Sequence, residues 1–513
     1  MNMFRKSLGL LIAVCTIAVL LLTSQLRAQQ RIDLTIESAV DIMMSNSYSI
    51  TKLKMGIEQS RLNLKAERAG LKSKVYMNIV SPDLNRISDY KWNSTLQRNE
   101  IVRENTNRWQ MDLSIKQPVI LFGYPTNGNV SINYKVYRYG QSEDGDRYTN
   151  YYNRMYLQFE QPLFQPNELK NDLEEAKLDL EEEELDYIAS QVEMIDDISD
   201  EYYSLFELAY NDVILNNYLS NLIEIDAVAS DIVQQDTTRN IEKMQVELVM
   251  ANAQDELSEN QSEIRIDKAS MLHRLRLNED VILDIDPVIT ITPITVDQEE
   301  AVQYGLSLRP SMRLLEIDKR ISEIEFEYTK ASDAVKLDLE MTYGLERQDE
   351  RYQAMWDNYD NSTSVTLNAY IPIWDWGRRK ARIEARKISL DRLDVDIEER
   401  RNSIRKDVIN AIINLNENQT RALKMQESVN IAKEITGTSI NRYKNNEISL
   451  QDLIQIVSRQ KETEENLLDS YLEYRNAILQ LMIRTYYDYE NNISLIDELK
   501  SNGDTNNNSY MSK

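Results

Sequence analysis

The chain has 513 residues with only 12 glycines and 9 prolines, 28% charged residues and a net charge of −26. Scarce helix breakers and abundant charge predict long uninterrupted helices rather than several small globular domains. A mean hydropathy of −0.53 excludes a polytopic bundle of membrane helices. The acidic balance argues against a nucleic-acid partner, which needs a basic surface. One histidine, His273, and one cysteine, Cys15, exclude His-based triads, multi-His metal sites and disulfides. No catalytic site, metal or cofactor is expected.

Residues 1–28 read as a secretory signal peptide: Arg5 and Lys6 precede an apolar run from Leu8 to Leu22. That run falls short of the roughly 20 residues a spanning helix needs. Cys15 lies inside it, but Val14 is not the small residue that lipid attachment at a cysteine requires.

The rest repeats itself. Leu34 to Val40 resembles Thr295 to Val302, with Ala39 and Ala301 separated by 262 residues. Leu157-Gln158-Phe159-Glu160-Gln161-Pro162-Leu163-Phe164 resembles Leu367-Asn368-Ala369-Tyr370-Ile371-Pro372-Ile373-Trp374, now at an offset of 210. The first copy therefore holds 52 extra residues, between about 81 and 155.

The first copy, 29–293, is expected to carry strands at about 74–80 and 154–163. Between them an extra hairpin is expected at about 110–139, and long helices at about 166–235 and 240–277 follow. The strands show period-two alternation, as in Val75, Met77 and Ile79; in the hairpin Met111, Leu113 and Ile115 alternate with Asp112, Ser114 and Lys116. Pro166 suits a first helical position. Leu185, Ile188, Val192, Ile195, Ser199, Tyr202, Phe206 and Ala209 keep the 3-4 spacing of a packed seam.

The second copy, 294–490, repeats the order with strands at about 335–344 and 363–373 and helices at about 376–444 and 449–488. Leu393, Ile397, Ile404, Val408, Ala411 and Leu415 mark one seam; Leu467, Tyr471, Tyr474, Ile478 and Leu481 mark the last. Each of the longest helices would extend roughly 100 Å at 1.5 Å per residue. Residues 491–513 read as a disordered tail, rich in Asn and Ser towards the end.

A few strands from one copy leave both sheet edges exposed. Closing strands of several chains into one barrel removes every edge, and an apolar outside with a polar inside suits a lipid-embedded pore.

Three motifs carry a family resemblance. Pro162-Leu163-Phe164 and Pro372-Ile373-Trp374-Asp375-Trp376-Gly377 resemble the strand-to-helix junction of TolC-like outer membrane factors, the outer membrane efflux proteins. Tyr443 to Leu453 resembles that family's helical hairpin tip, and the duplicated element order is also the family's. The resemblance covers residues 33–490 apart from the inserted hairpin. It implies a mixed α/β membrane protein: a homotrimeric outer-membrane β-barrel, four strands per chain, continued by a long α-helical coiled-coil tunnel in the periplasm. It also implies a passive exit duct for efflux or type I secretion, gated at its periplasmic tips. Its partners would be outer-membrane lipid, a periplasmic adaptor (membrane fusion protein) and an inner-membrane pump.

By that resemblance the barrel–tunnel junction comprises Pro162, Phe164, Pro372, Trp374, Trp376 and Gly377. The gate candidates are Asp452, with Gln455 where a second acid is usual, Asp231 and Asp236 near the first tip, and Arg442 and Tyr443 closing the helix before the second. An aspartate in a first helical turn is also favoured by the dipole alone. The acidic run Glu181 to Glu184, with Glu174 and Glu175, either lines a cation-attracting tunnel or forms a solvated face.

Two readings of the extra hairpin stay open. It adds two strands per chain to the barrel, which the echo of Gln161-Pro162-Leu163 in Gln117-Pro118-Val119 favours, or it projects as an external lid. The rival for the whole chain is a periplasmic structural or adaptor-like coiled coil without transport activity.

Overall fold

The computed structural model describes residues 31–499 apart from 94, 96, 144, 145, 236–238 and 498. The segment expected to be a signal peptide, Asp236 and the residues beyond 499 lie outside the described residues. The chain divides into two compact units.

The first unit holds residues 54–186 and 311–400 and is built on a six-stranded antiparallel sheet. Its strands are β2 (Lys74–Asn93), β3 (Arg98–Leu121), β4 (Tyr124–Glu143), β5 (Asp146–Leu163), β7 (Lys336–Asp349) and β8 (Asp360–Tyr370). They pair in the order β2-β3-β4-β5-β7-β8, so each neighbours the next sheet strand along the chain. The short β1 (Arg31–Asp33) and β6 (Ile282–Asp284) pair in parallel within the second unit.

Period-two patterning places the apolar rows on one face. Across the pairs, Met77 stands opposite Leu113, Leu113 opposite Tyr134, Ile132 opposite Leu157, Phe159 opposite Met341, and Met341 opposite Val365. Many of these side chains are exposed, including Met77, Leu157, Met341 and Val365. The other face is polar and hydrogen-bonded. Ser114 donates to Asn133 at 2.5 Å, Asn133 to Gln158 at 3.3 Å and Gln158 to Glu340 at 2.9 Å. Thr342 and Ser364 lie 2.7 Å apart.

Several boundaries differ from the sequence expectation: β5 starts at Asp146 rather than 154, and β7 runs on to Asp349 rather than 344. The strand expected at 74–80 continues to Asn93, because an extra residue between Val80 and Asp83 shifts the register. A single inserted residue swaps faces, so Leu84 sits in even parity and the alternation is broken in the sequence. The expected hairpin at 110–139 is the middle of two longer strands, β3 and β4. β8 stops at Tyr370 rather than 373. Pro166 is not a first helical residue: helix α3 (Glu168–Gln235) starts two residues later, where the Asn167 side chain accepts from Lys170 N–H at 3.1 Å.

The helical parts of this unit come from α2 (Tyr48–Gly70), α3, α6 (Pro310–Ala331) and α7 (Arg378–Lys444). Ion pairs link them: Arg313 to Glu181 at 2.6 Å, Arg320 to Glu174 at 2.7 Å, Lys319 to Asp394 at 2.5 Å and Arg386 to Glu325 at 2.6 Å. Glu181 and Glu174, for which a tunnel lining and a solvated face were the two readings, thus have cationic partners in the same chain. The hydrogen bond from Arg313 lowers the Glu181 pKa, and that from Arg320 lowers the Glu174 pKa. Burial first, and neighbouring aspartates second, raise those of Glu175 and Glu182.

The second unit holds the described residues of 31–53, 187–310 and 401–499. It contains α1 (Ile36–Asn46), α4 (Asn240–Leu275), α5 (Gln298–Ser307), α8 (Leu450–Thr485) and the adjoining stretches of α3 and α7. The seams are the core. Ile198, Leu205, Phe206 and Ile214 pack with Ala39, Met271, Leu275, Leu468 and Tyr471. On α7, Ile404, Val408, Ala411 and Leu415 are buried.

The repeat is visible in α1 and α5: Thr35 and Asp297 cap their N-termini, and Ala39 and Ala301 are each fully buried. Helix α8 ends at Thr485 rather than 488, with Tyr486 in the left-handed region. Residues 491–499 are not a disordered tail. Ile493–Ser494 pairs with Tyr487–Asp488, and Leu495 and Leu499 pack on Ile188, Val192 and Ile195. The apolar spacing of Leu495, Ile496 and Leu499 gives this segment something to bury, unlike the Asn-rich stretch after it.

Gly305 marks the closest approach of α5 to its neighbours. A Cβ there would stand 2.9 Å from Val408 Cγ2, 3.2 Å from Ile404 Cγ2 and 3.3 Å from the Arg484 carbonyl oxygen. Overpacking of this kind costs about 1–3 kcal/mol. Gly305→Ala is expected to lower the thermal midpoint of the purified protein; an unchanged midpoint would show that α5 has room to move.

Candidate functional site

The second unit ends in two helical tips, where α3 gives way to α4 and α7 to α8. Their common core draws on all four helices: Leu222, Ile225 and Ala229; Val246 and Ala253; Ile440 and Tyr443; Leu450, Leu453 and Val457. Lys461 reinforces the packing of α8 on α4 through Glu256 at 2.5 Å.

The second tip is shaped by its own backbone. Asn446 has φ +59, the left-handed conformation that ends a helix. Asn446 N–H donates to the Tyr443 carbonyl at 2.9 Å and Glu447 N–H to the Arg442 carbonyl at 2.9 Å, which satisfies two carbonyls left over by α7. The chain restarts at Ser449, whose hydroxyl oxygen accepts from Asp452 N–H at 3.1 Å and whose hydroxyl donates to the Asp452 carboxylate at 2.7 Å.

A polar cluster joins the two tips. Arg239 grips Glu242 with two parallel hydrogen bonds, at 2.8 and 2.6 Å. Its remaining terminal nitrogen donates to the Asn446 side-chain oxygen at 2.7 Å, and its guanidinium lies 5.9 Å from the centre of the Tyr443 ring. The Tyr443 hydroxyl donates to the same Glu242 carboxylate at 3.2 Å. The Tyr443 side chain is fully buried beneath this cluster. Burial, then the Glu242 charge and hydrogen bond, push its pKa up to about 12, while Arg239 acts in the opposite sense.

The sequence-derived candidates therefore separate. Tyr443 bridges the tips. Arg442 does not; it turns back to Glu447 at 3.3 Å and braces its own loop. Asp452 and Gln455 are exposed on α8, Asp452 serving as the reciprocal partner of the Ser449 cap. Asp231 is exposed near the end of α3. The sequence reading missed Arg239, Glu242 and Asn446. The i, i+3 spacing of Arg239 and Glu242 beside the first tip was a legible sign; the link to Asn446, 207 residues away, was not.

The junction residues lie in the first unit. Phe164, Trp374 and Trp376 are largely exposed, and the two tryptophans meet edge to face at 5.5 Å. Trp376 and Gly377 both have positive φ, at +57 and +81. Asp375 makes this turn: its carboxylate accepts from Arg379 N–H at 2.8 Å and Gly377 N–H at 2.9 Å, bonds that lower its pKa. The first junction has Phe164 at φ +61 and uses Asn167 as the cap, so Pro162 and Pro372 precede differently built turns.

Residues 306–482 match the family described as outer membrane efflux protein. No curated protein matches the chain in sequence. Several solved structures share its fold. CusC, described in terms of transmembrane channel formation, is 12% identical with a TM-score of 0.62, covering 88% of this chain and 92% of its own. The CmeC outer membrane channel of Campylobacter jejuni is 14% identical with a TM-score of 0.61, covering 91% and 89%. The outer membrane protein VceC of Vibrio cholerae is 11% identical with a TM-score of 0.61, covering 88% and 95%.

The Tyr443 contact has a defined pH window. A tyrosine whose folded pKa is raised contributes stability that is complete below its ordinary value of 10.0 and is lost as pH climbs towards about 12. Tyr443→Phe removes a hydrogen bond to a charged group, a loss of roughly 1.5–3 kcal/mol. The stability difference between wild type and Tyr443→Phe, measured by thermal unfolding, should stay constant at neutral pH and shrink above pH 10. A difference that changes between pH 6 and 8 would contradict the assignment.

Proposed function

We propose, from an outer membrane efflux protein match at residues 306–482 within the fold of outer membrane channels, that this chain forms a passive exit duct for an efflux or type I secretion system. The supporting observation is a sheet with an exposed apolar face, a hydrogen-bonded polar face, and two outer strands, β2 and β8, each paired on one side only among the described residues. Copies of the chain, three by the family resemblance, would join β8 of one to β2 of the next and close a barrel in the outer membrane. The polar face then lines water and the apolar face meets lipid. The helices would form the periplasmic tunnel, contacting an adaptor and, through it, an inner-membrane pump that supplies the energy.

The helical tips are the gate in this reading. The Arg239–Glu242–Tyr443–Asn446 cluster holds the two tips of one chain together and so favours a narrow end. The exposed Asp452 carboxylates of three chains would crowd one opening and attract cations, with Gln455 adding a polar but uncharged ring and Asp231 further acid. Charge crowded at a constriction raises the local concentration of counter-ions.

Planar-bilayer recording on the purified protein tests this. The wild type should give small, cation-preferring currents. Tyr443→Phe combined with Arg239→Ala should raise the conductance several-fold, and Asp452→Asn should reduce cation preference without enlarging the pore. A protein that stays silent in the bilayer even with both latch residues altered would not be a duct.

A further inference from the structure

We infer that the hairpin of β3 and β4 is a stretch of barrel wall facing lipid hydrocarbon, so that each chain lends six strands rather than four; the inference rests on the duct reading.

The apolar row does not stop at the insertion. Val75, Met77 and Ile79 of β2 stand opposite Ile115, Leu113 and Met111 of β3. These stand opposite Ile132, Tyr134 and Val136 of β4, and Ile132 and Tyr134 opposite Leu157 and Met155 of β5. On β7 the row runs from Leu337 to Leu345, about 27 Å at 3.4 Å per residue before any tilt. Outer-membrane barrels present an apolar band about 25 Å tall. A lid folded outside the cell has no reason to keep this register or to leave Ile115 and Ile132 exposed.

The polar face is equally continuous. Lys116 on β3 reaches Glu160 on β5 at 3.5 Å, and the chain of hydrogen bonds from Ser114 passes through Asn133 and Gln158 to Glu340 on β7. The inserted strands thus supply both faces of the same wall.

The lower end of the hairpin is built like the lower end of β5. Gln117 and Gln161 each donate to the carbonyl of the proline that follows, at 2.9 and 3.0 Å. Each also donates to a backbone carbonyl of an adjacent segment, Leu71 at 3.2 Å and Thr126 at 2.8 Å. Phe122 follows the last residue of β3 with φ +52 and Phe164 the last of β5 with φ +61, both strongly exposed. Phe122 and Gly123, with φ +52 and +86, make a two-residue turn at that end. Short turns on the periplasmic side and an aromatic girdle at the interface are what a lipid-embedded barrel requires. Phe122 and Tyr124 extend the girdle begun by Phe164, Trp374 and Trp376.

With three copies, six strands per chain give a barrel of about 18 strands, and barrel diameter grows roughly in proportion to strand number. The mouth would be about half again as wide as one built from four strands per chain. Cargo size is then limited by the helical gate and not by the barrel, and bulky solutes or unfolded polypeptides fit the outlet.

Single-cysteine variants in a Cys15→Ser background test this in the full chain reconstituted in liposomes. Ile115→Cys and Ile132→Cys report the apolar face of the hairpin; Lys116→Cys and Lys135→Cys report its polar face. Met341→Cys and Glu340→Cys on β7 serve as the reference. Each carries a bimane label, quenched either by lipid brominated in its acyl chains or by aqueous iodide. The expected result is strong brominated-lipid quenching at 115, 132 and 341, and strong iodide quenching at 116, 135 and 340. Iodide quenching at all four hairpin sites, with alternation kept on β7, would overturn the six-strand wall and leave the duct standing. Loss of alternation on β7 as well would overturn both.

Discussion

Unpaired backbone groups at the two sheet edges govern the rest of this structure. Each strand edge carries a row of N–H and C=O groups, and in hydrocarbon no water is present to satisfy them. Within one chain β2 and β8 each leave such a row without a strand partner among the described residues. β8 has 11 residues, the length of a tilted membrane-spanning strand, whereas β2 has 20. Pairing β8 with a neighbour's β2 would therefore satisfy the lower half of β2 and leave the upper half to water. The sequence of that upper half, with Asp83, Asn85, Arg86 and Asp89, suits water. A contact between two different edges also repeats head to tail, and such contacts close into rings when the rotation allows.

The division of the sheet into an apolar and a polar face explains which strands could be read from the chain. Alternation is legible where one face must be apolar, so β7 and the middle of β3 and β4 stood out through Leu337, Leu339, Met341 and Met111, Leu113, Ile115. It disappears where both faces carry polar residues, and the parity change after Val80 hides what remains. Strand ends at 93, 98 and 143 were invisible for that reason. The long helices were legible because their seams keep a 3-4 spacing with no proline, and in the two longest only Gly437, to interrupt it. The short packed segment at 491–499 was not, since four apolar residues, Ile493, Leu495, Ile496 and Leu499, beside an Asn-rich stretch carry too little periodicity to outweigh its composition.

The tip cluster was hidden for a different reason. Arg239 and Asn446 are far apart in the chain, and Glu242 looks like any helix-surface acid until Tyr443 is placed beside it. Asp452, the residue that the family resemblance singled out, has a local role that the sequence does announce: Ser449 and Asp452 stand three apart at a helix start, the spacing at which a cap and its reciprocal partner meet. The two roles are compatible because the cap uses one side of a carboxylate that remains exposed.

What makes the cluster suited to a gate is that Asn446 does two things at once. Its backbone supplies the left-handed turn that ends α7, and its side chain receives Arg239 from the other tip. Moving the tips apart while α7 keeps its end costs the Arg239 bond and the Tyr443–Glu242 bond together, because Glu242 is shared by Arg239 and Tyr443. Hydrogen bonds to charged groups contribute roughly 1.5–3 kcal/mol each, so breaking both is comparable to the about 5.5 kcal/mol that carries a two-state equilibrium from one side to the other. Thermal motion alone would seldom open such a latch, yet the binding free energy of a partner docking on the tips could. In the proposed duct, a latch of that size would hold the tips together at rest without needing a plug.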